Sequence, residues 1–203
     1  FNDDIQGTAS VALAGVLASC KITGKEFKDL KVMFLGAGSA ATGIADLLKS
    51  ALMKHGLSEK EALKRLNFCD IDGLLVKGRK GLMEHNLPYA HDMNSIPFKE
   101  AISTLEPDVL IGATGSGGTF DQEVIEAMSK VNERPVIFAL SNPTSKAECT
   151  AEQAYSWSDG KAIFVSGSPF NPVEYKGKTL VPGQGNNAYI FPGLGMGLLV
   201  SKA

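Results

Sequence analysis

The sequence has few cysteines, a single tryptophan and almost no excess of charge of either sign. Its 203 residues include three cysteines, 22 acidic residues and 20 basic residues, which gives a net charge of −2. Cys20, Cys69 and Cys149 are far apart and show no CxxC spacing, which excludes a disulfide framework and a zinc site of paired cysteines. We expect three reduced, mostly buried thiols in a reducing compartment, either the cytoplasm or the mitochondrial matrix.

Other absences limit the partners of the chain. The near-neutral charge offers nothing that attracts a nucleic acid backbone or an anionic membrane. No run approaches the roughly 20 apolar residues of a membrane span, and no internal repeat is visible. We therefore expect a small-molecule substrate, no nucleic acid and no membrane. Apolar residues make up 44% of the chain, which is enough for one large core.

Four apolar runs each end in small or turn-forming residues, as strands buried on both faces do. Helical patterns lie between them: residues 39–55 repeat apolar side chains at helical spacing, Ser58 begins a capping box, and Asp121 and Thr150 are predicted N-caps. This alternation predicts an α/β fold, a doubly wound, mostly parallel sheet (Rossmann-like) with helices on both faces. The four runs are 31–35 before Gly-Ala-Gly, 108–111 before Gly-Ala-Thr-Gly, 135–140 before Ser-Asn-Pro, and 162–165 before Ser-Gly-Ser-Pro.

A GxGxxA pattern follows the first predicted strand and opens the first predicted helix of this unit. In such a turn the first glycine permits the tight bend, the second lets the backbone approach a pyrophosphate, and the alanine lets helix and strand pack closely. The helix N-terminus then favours the anion, so we interpret the segment as a dinucleotide-binding turn rather than a tight structural turn. Its residues are Gly36, Ala37, Gly38, Ser39, Ala40 and Ala41.

The next predicted strand ends in Asp70, an acid at the position that hydrogen-bonds the adenosine ribose in this fold. The alternative is an aspartate that caps its own loop. A carboxylate here repels a 2′-phosphate, so the sequence favours NAD over NADP. Lys77, Arg79 and Lys80 follow closely and keep NADP open as the second choice.

Polar residues also follow the later strands. Because parallel strands end at the same edge of a sheet, these loops converge on one crevice. We expect Thr114, Gly115 and Asn142 to contact the cofactor, and Asn142, Asn186 and Asn187 to contact the substrate. For Asn142 an Asx-type turn before a proline is the alternative.

Asp3 and Asp4 precede an apolar, helix-compatible run, where acids ordinarily serve the helix dipole. Adjacent residues on a helix diverge, so two such carboxylates do not grip one ion together. If they are functional, one is a ligand of a hard metal ion and the other an acid–base group or an orienting group.

Together these segments resemble malic enzyme, the metal-dependent family that oxidatively decarboxylates malate to pyruvate. The resemblance implies that Asp4 is a ligand of Mg²⁺ or Mn²⁺, that Asp3 is the acid beside the catalytic groups, and that Asn142 and Asn187 are substrate-binding amides. It also favours NAD, since NADP-using members tend to carry extra Ser or Lys residues beyond the second strand, whereas Ile71 follows Asp70 here and the region of Asn86 and Leu87 has no Lys. The matching segments cover essentially the whole chain and are 1–8 (FNDDIQGT), 36–38, 73–79, 133–143, 147–150, 166–170 and 182–187.

The same resemblance implies that residues 1–203 are the NAD(P)-binding domain, in which residues 1–24 are a leading helix that carries the Asp pair. The family's other metal carboxylates, its general base Lys and its general acid Tyr precede the motif that begins at Phe1. We therefore expect the catalytic N-terminal domain to be absent, the chain alone to be close to inactive, and the full-length enzyme to be a dimer or tetramer. Two alternatives stay open: a nucleotide-binding module without catalysis, and another 2-hydroxy-acid or amino-acid dehydrogenase with the same core.

Overall fold

A computed structural model describes residues 2–202 of the chain, so Phe1 of the predicted leading motif lies outside the described residues. A π-helical turn, Asp3–Gly7, opens the fold, and strands and helices then alternate. The elements are α1 (Thr8–Thr23), β1 (Val32–Leu35), α2 (Ser39–Lys54), α3 (Glu59–Lys64), β2 (Leu66–Asp70), β3 (Gly73–Leu74), α4 (Phe98–Leu105), β4 (Val109–Gly112), α5 (Gln122–Val131), β5 (Val136–Ala139), α6 (Ala151–Trp157), β6 (Ile163–Ser166), β7 (Val173–Tyr175), β8 (Lys178–Leu180), β9 (Gly183–Gln184) and α7 (Phe191–Ser201).

The main sheet has the strand order β3-β2-β1-β4-β5-β6-β9. All its neighbours pair in parallel except β2 and β3, which form a short antiparallel pair at one edge. The predicted doubly wound α/β fold is therefore confirmed, and each of the four apolar runs coincides with a strand to within one residue at either end. Strand order reverses between β1 and β4, which is where such sheets open a ligand crevice.

The sheet is covered on both faces, so its central strands are buried along their whole length. Alternate residues face opposite layers: Phe34 and Phe138 pack with α1 and α2, whereas Met33 and Ile137 pack with α4, α5 and α6. Phe34 stacks on Phe68 of β2 with ring centroids 4.4 Å apart. This double burial explains why the strands appear in the sequence as continuous apolar runs.

Helix α1 lies close against the sheet and against α2. A Cβ at Gly15 would lie 2.8 Å from the ring of Phe138, so only glycine permits this approach. By length and composition alone, the helical stretch Asp3–Thr23 is apolar enough to cross a membrane, so the expectation that no such run exists was wrong. Its apolar character has a packing reason, since Ala12 and Val16 are fully buried in the core.

The predicted helix starts are found in the structure. Ser58 and Thr150 each accept from the backbone N–H three residues later, and each makes a complete capping box. Asp121 accepts from the amide of Val124. These caps satisfy donors that a helix N-terminus otherwise leaves unpaired.

The three thiols differ in exposure. Cys69 and Cys149 are buried, Cys20 is half-buried, and all three are free. Burial raises the pKa of Cys69 and the pKa of Cys149 each to about 12. Burial also raises the pKa of Cys20. Since the thiolate is the reactive form, the two buried thiols are protected in the native fold.

We predict that an aromatic disulfide reagent at about pH 8 modifies at most Cys20 in the native chain, and all three cysteines in denaturant. Mass mapping of the modified peptides measures this. Cys20→Ser is the control and leaves no thiol that reacts before unfolding. Fast modification of Cys69 or Cys149 in the native chain contradicts the buried placement of these thiols.

Candidate functional site

The GxGxxA turn lies between β1 and α2, at the reversal of strand order. Gly36 has φ = 102°, a left-handed conformation that favours glycine. A Cβ there would also lie 2.5 Å from the carbonyl oxygen of Ala113, in the loop after β4. Gly36 is therefore required both by its backbone angle and by the close approach of the neighbouring loop.

The N-terminus of α2 is open toward solvent. Gly38 is the N-cap, and no side chain caps the helix. A Cβ at Gly38 would meet nothing within 4 Å, whereas Ala41 is fully buried, as the pattern predicts. Ser39 and Ala40 are exposed. The first backbone N–H groups of a 16-residue helix thus point to open space, which fits a phosphate group.

One residue beside this turn was missed by the sequence reasoning. Nε2 of His85 lies 3.1 Å from the carbonyl oxygen of Ala37. The two residues are 48 positions apart, and no local pattern links them. The contact places an exposed imidazole at the rim of the phosphate-binding turn.

Asp70 ends β2 as predicted, but its carboxylate is not free. It forms an ion pair with Arg79, and its other oxygen accepts from the amide of Asp72 at 2.9 Å. Arg79 also lies 3.2 Å from the carboxylate of Asp72. The hydrogen bond to Asp70 raises the pKa of Arg79 further above its ordinary value. Two carboxylates therefore share one guanidinium at the strand end.

The loops after β4 and β5 are joined through a buried acid that the sequence reasoning did not select. Glu148 is fully buried and accepts hydrogen bonds from Thr114 and Ser141. The hydroxyl of Ser141 in turn accepts from the amide of Gly115 at 2.9 Å. No sequence signal reveals this, because the partners come from two other loops.

Asn142 is exposed at the end of β5, and a cis peptide bond joins it to Pro143. Its Oδ1 accepts from the hydroxyl of Ser168, in the loop after β6, at 2.6 Å. Within residues 2–202 its Nδ2 has no hydrogen-bond partner. The side chain is thus oriented by one end and presents an amide donor with the other.

Asp3 and Asn187 meet although they lie at opposite ends of the chain. Nδ2 of Asn187 donates to Oδ2 of Asp3 at 2.6 Å. Oδ1 of Asp3 is buried and has no partner among the described residues. A Cβ at Gly7 would collide with this oxygen, so glycine is needed there. Asp4 is exposed, so the two acids diverge as the helical geometry predicts.

Asn186 is placed differently from what was expected for a substrate amide. Its Nδ2 donates to the carbonyl of Gly167 at 3.1 Å, and its Oδ1 accepts from the amide of Ala188 at 2.9 Å. Both ends of the amide are therefore used to shape the loop that carries Asn187.

The acids of this chain do not make a metal site by themselves. Among residues 2–202, no group of three or more His, Cys, Asp or Glu side chains is arranged to hold a metal ion. Mg²⁺ and Mn²⁺ prefer several oxygen ligands, and Asp4 offers one exposed carboxylate. A metal ion at Asp4 would therefore need ligands from outside these residues.

Comparison with known proteins gives a consistent result. The family model described as "Malic enzyme, NAD binding domain" matches residues 5–203. The chain is 54% identical to the chloroplastic NADP-dependent malic enzyme of Flaveria trinervia and 55% identical to that of Zea mays, in each case over 100% of the chain and 32% of the relative. The chain thus spans about a third of the length of these relatives.

Solved structures agree with the same assignment. A malic enzyme of Entamoeba histolytica superposes with a TM-score of 0.73 at 27% identity, over 98% of this chain and 37% of that one. An NAD-dependent malic enzyme of Thermotoga maritima gives 0.72 at 28% identity, over 96% and 45%. These matches decide against the alternative of a different 2-hydroxy-acid or amino-acid dehydrogenase.

We predict that the 203-residue chain alone binds Mn²⁺ with a dissociation constant weaker than about 10⁻⁴ M, because a single exposed carboxylate is a poor site. Titration calorimetry without nucleotide measures this, and Asp4→Asn is the control variant. A saturable site tighter than that limit, lost in Asp4→Asn, contradicts the prediction.

Proposed function

The chain belongs to the malic enzyme family, as its NAD-binding domain, and we propose that it binds the nicotinamide dinucleotide of an enzyme that converts (S)-malate to pyruvate and CO₂. The observation that carries this proposal is the uncapped N-terminus of α2 behind Gly36 and Gly38. Backbone N–H groups in open space at the reversal of strand order are suited to a diphosphate. A nicotinamide dinucleotide held at this turn would supply the acceptor for a hydride from C2 of malate.

The amides supply the groups that hold the substrate in this proposal. Ser168 fixes the Oδ1 of Asn142, and we propose that the Nδ2 of Asn142 donates to the substrate or the cofactor. Asn187 is held by Asp3, which supports an orienting role for that acid beside its proposed acid–base role. Asp4 is proposed to contribute one carboxylate toward a Mg²⁺ or Mn²⁺ site that needs further ligands. Asn186 stays a proposed substrate contact, and its two hydrogen bonds to the loop would hold its amide in place while a second N–H of Nδ2 is left for the ligand.

We propose NAD as the preferred cofactor on the basis of charge at the end of β2. Asp70 and Asp72 carry two negative charges against the single positive charge of Arg79, so the cluster is negative overall. Such a cluster suits the hydroxyls of a ribose and repels a 2′-phosphate. NADP is the second candidate, because relatives more than 50% identical are named NADP-dependent.

The proposal also covers the oligomeric state of the whole enzyme and its cellular compartment. The dimer or tetramer expected of the whole enzyme stays a prediction. The three free thiols support a reducing compartment. The chloroplast is a third candidate compartment beside the cytoplasm and the mitochondrial matrix, since the relatives from Flaveria trinervia and Zea mays are named chloroplastic.

We predict that Gly38→Val abolishes most nucleotide binding without loss of stability. The Cβ position at Gly38 is empty and its φ of −79° suits any residue, so the fold tolerates the change. The added side chain blocks the approach of a diphosphate, and affinity for NAD falls by at least about ten-fold. Calorimetry and thermal unfolding measure the two effects.

Gly36→Ala is the matched control at the same turn. Its positive φ and the contact with Ala113 lead us to expect a loss of about 1–3 kcal/mol in the free energy of unfolding. Wild-type chain that binds neither NAD nor NADP contradicts the proposed function. So does Gly38→Val that binds like wild type.

We predict that Asp72→Lys shifts the preference from NAD toward NADP. The change removes one of the two carboxylates and adds a cation, so the ratio of the two dissociation constants moves by about ten-fold. Asp92→Lys is the control, because it makes the same charge change at another exposed acid. An unchanged ratio in Asp72→Lys, or an equal shift in both variants, means that this cluster does not select the nucleotide.

A further inference from the structure

We propose that Glu148 is a positioning residue that fixes the loops after β4 and β5 for the nicotinamide half of the dinucleotide. The inference rests on the proposed function, because it assigns a role within the same cleft. Glu148 touches no ligand in this proposal. It acts through Thr114, Gly115 and Ser141.

The carboxylate of Glu148 accepts four hydrogen bonds from the two loops. Oε1 accepts from the amide of Thr114 at 3.0 Å, and it shares the hydroxyl proton of Thr114 with the carbonyl oxygen of Ser116, each 3.0 Å from that hydroxyl. Oε1 also accepts from the hydroxyl of Ser141, and Oε2 accepts from the amide of Ser141 at 3.3 Å. Ser141 extends the network, since its hydroxyl accepts from the amide of Gly115. One side chain thus sets the direction of both loops.

The backbone around Glu148 holds the carboxylate in one place. Its side chain is fully buried, and its carbonyl accepts from the amide of Phe120 at 2.9 Å. A Cβ at Gly112, the last residue of β4, would lie 2.5 Å from Cγ and Cδ of Glu148. The acid therefore fits into a space that exists only because β4 ends in glycine.

The donors around Glu148 require an acceptor at both ends of its side chain. Oε1 accepts from the backbone N–H of Thr114 and Oε2 from the backbone N–H of Ser141, and neither N–H can reverse its role. An amide side chain would place an NH₂ group against one of these donors. A buried polar group is costly without such partners, so the loss of either contact should disturb the loops.

The position of the two loops in the sheet indicates which half of the dinucleotide they would contact. In a doubly wound sheet the two halves of the dinucleotide lie on opposite sides of the reversal of strand order. Gly36 and Asp70 belong to the side of β1 and β2, whereas the loops held by Glu148 follow β4 and β5. Loss of Glu148 should therefore weaken contacts to the nicotinamide half and leave the adenosine half in place.

The test compares NAD with ADP, which carries the adenosine and the diphosphate and lacks the nicotinamide. For Glu148→Gln we expect the affinity for NAD to fall by about ten-fold or more, and the affinity for ADP to stay within about two-fold of wild type. We also expect the fluorescence gain of bound NADH, which reports on the reduced nicotinamide ring, to be lost. Glu152→Gln, an exposed acid on α6, is the matched control and should change none of these values.

Ser141→Ala keeps the test decisive if Glu148→Gln does not fold. It removes one hydroxyl that links Glu148 to Gly115, and it should move NAD affinity and NADH fluorescence in the same direction. Equal losses of NAD and ADP affinity show a general structural role and overturn the proposal, as does unchanged NAD affinity in both variants. Failure of the proposed function is a different result, because wild type then binds neither nucleotide.

Discussion

Each loop of the candidate site begins where a strand of the parallel sheet ends, and one backbone hydrogen bond ties it to the neighbouring strand. Because these bonds run in the same direction across the sheet, a slip of one strand by one residue would turn its loop away from the cleft. Burial of both faces prevents such a slip, since it would also exchange the two sets of core side chains. The bonds are 2.8–3.0 Å long and run from Gly36 to Cys69, from Ala113 to Leu35, from Leu140 to Gly112, from Gly167 to Ala139 and from Gly185 to Ser166.

One half of this cleft offers backbone groups to a ligand, and the other half offers side chains. Around Gly36 and Gly38 the groups on offer are backbone N–H groups, whose direction follows from helix α2 itself. After β4 and β5 the groups on offer are side chains such as Thr114 and Asn142, which need partners to hold one orientation. Those partners are Glu148 and Ser168. A site made of backbone N–H groups needs only a suitable turn and small residues. A site made of side chains also needs hydrogen-bond partners that hold each side chain in one orientation.

This difference explains which parts of the fold and of the candidate site could be predicted from the sequence alone. Strands with two buried faces, helix caps such as Ser58 and the glycine turn are local patterns, so the sequence predicts the fold and the turn at Gly36. The pairing of Asp70 with Arg79 and the links from Glu148 join residues that are separated in sequence and carry no periodic signal. The sequence predicts α1 as an apolar, helix-compatible run, but the close approach to Phe138 that Gly15 permits is found only in the structure.

Asp3, which is half-buried, and Glu148, which is fully buried, are two acids whose surroundings argue for opposite roles. Both oxygens of Glu148 accept hydrogen bonds from Thr114 or Ser141, so the side chain serves to fix the two loops. Asp3 is engaged by Asn187 through one oxygen, while the other is buried without a partner among residues 2–202. An unpaired buried oxygen costs about 1–3 kcal/mol, and folded proteins rarely retain that cost where no chemistry requires it. Asp3, with one unpaired oxygen, is therefore the acid suited to contact a reactant. Glu148, with both oxygens hydrogen-bonded, is the acid suited to fix the loops of the site.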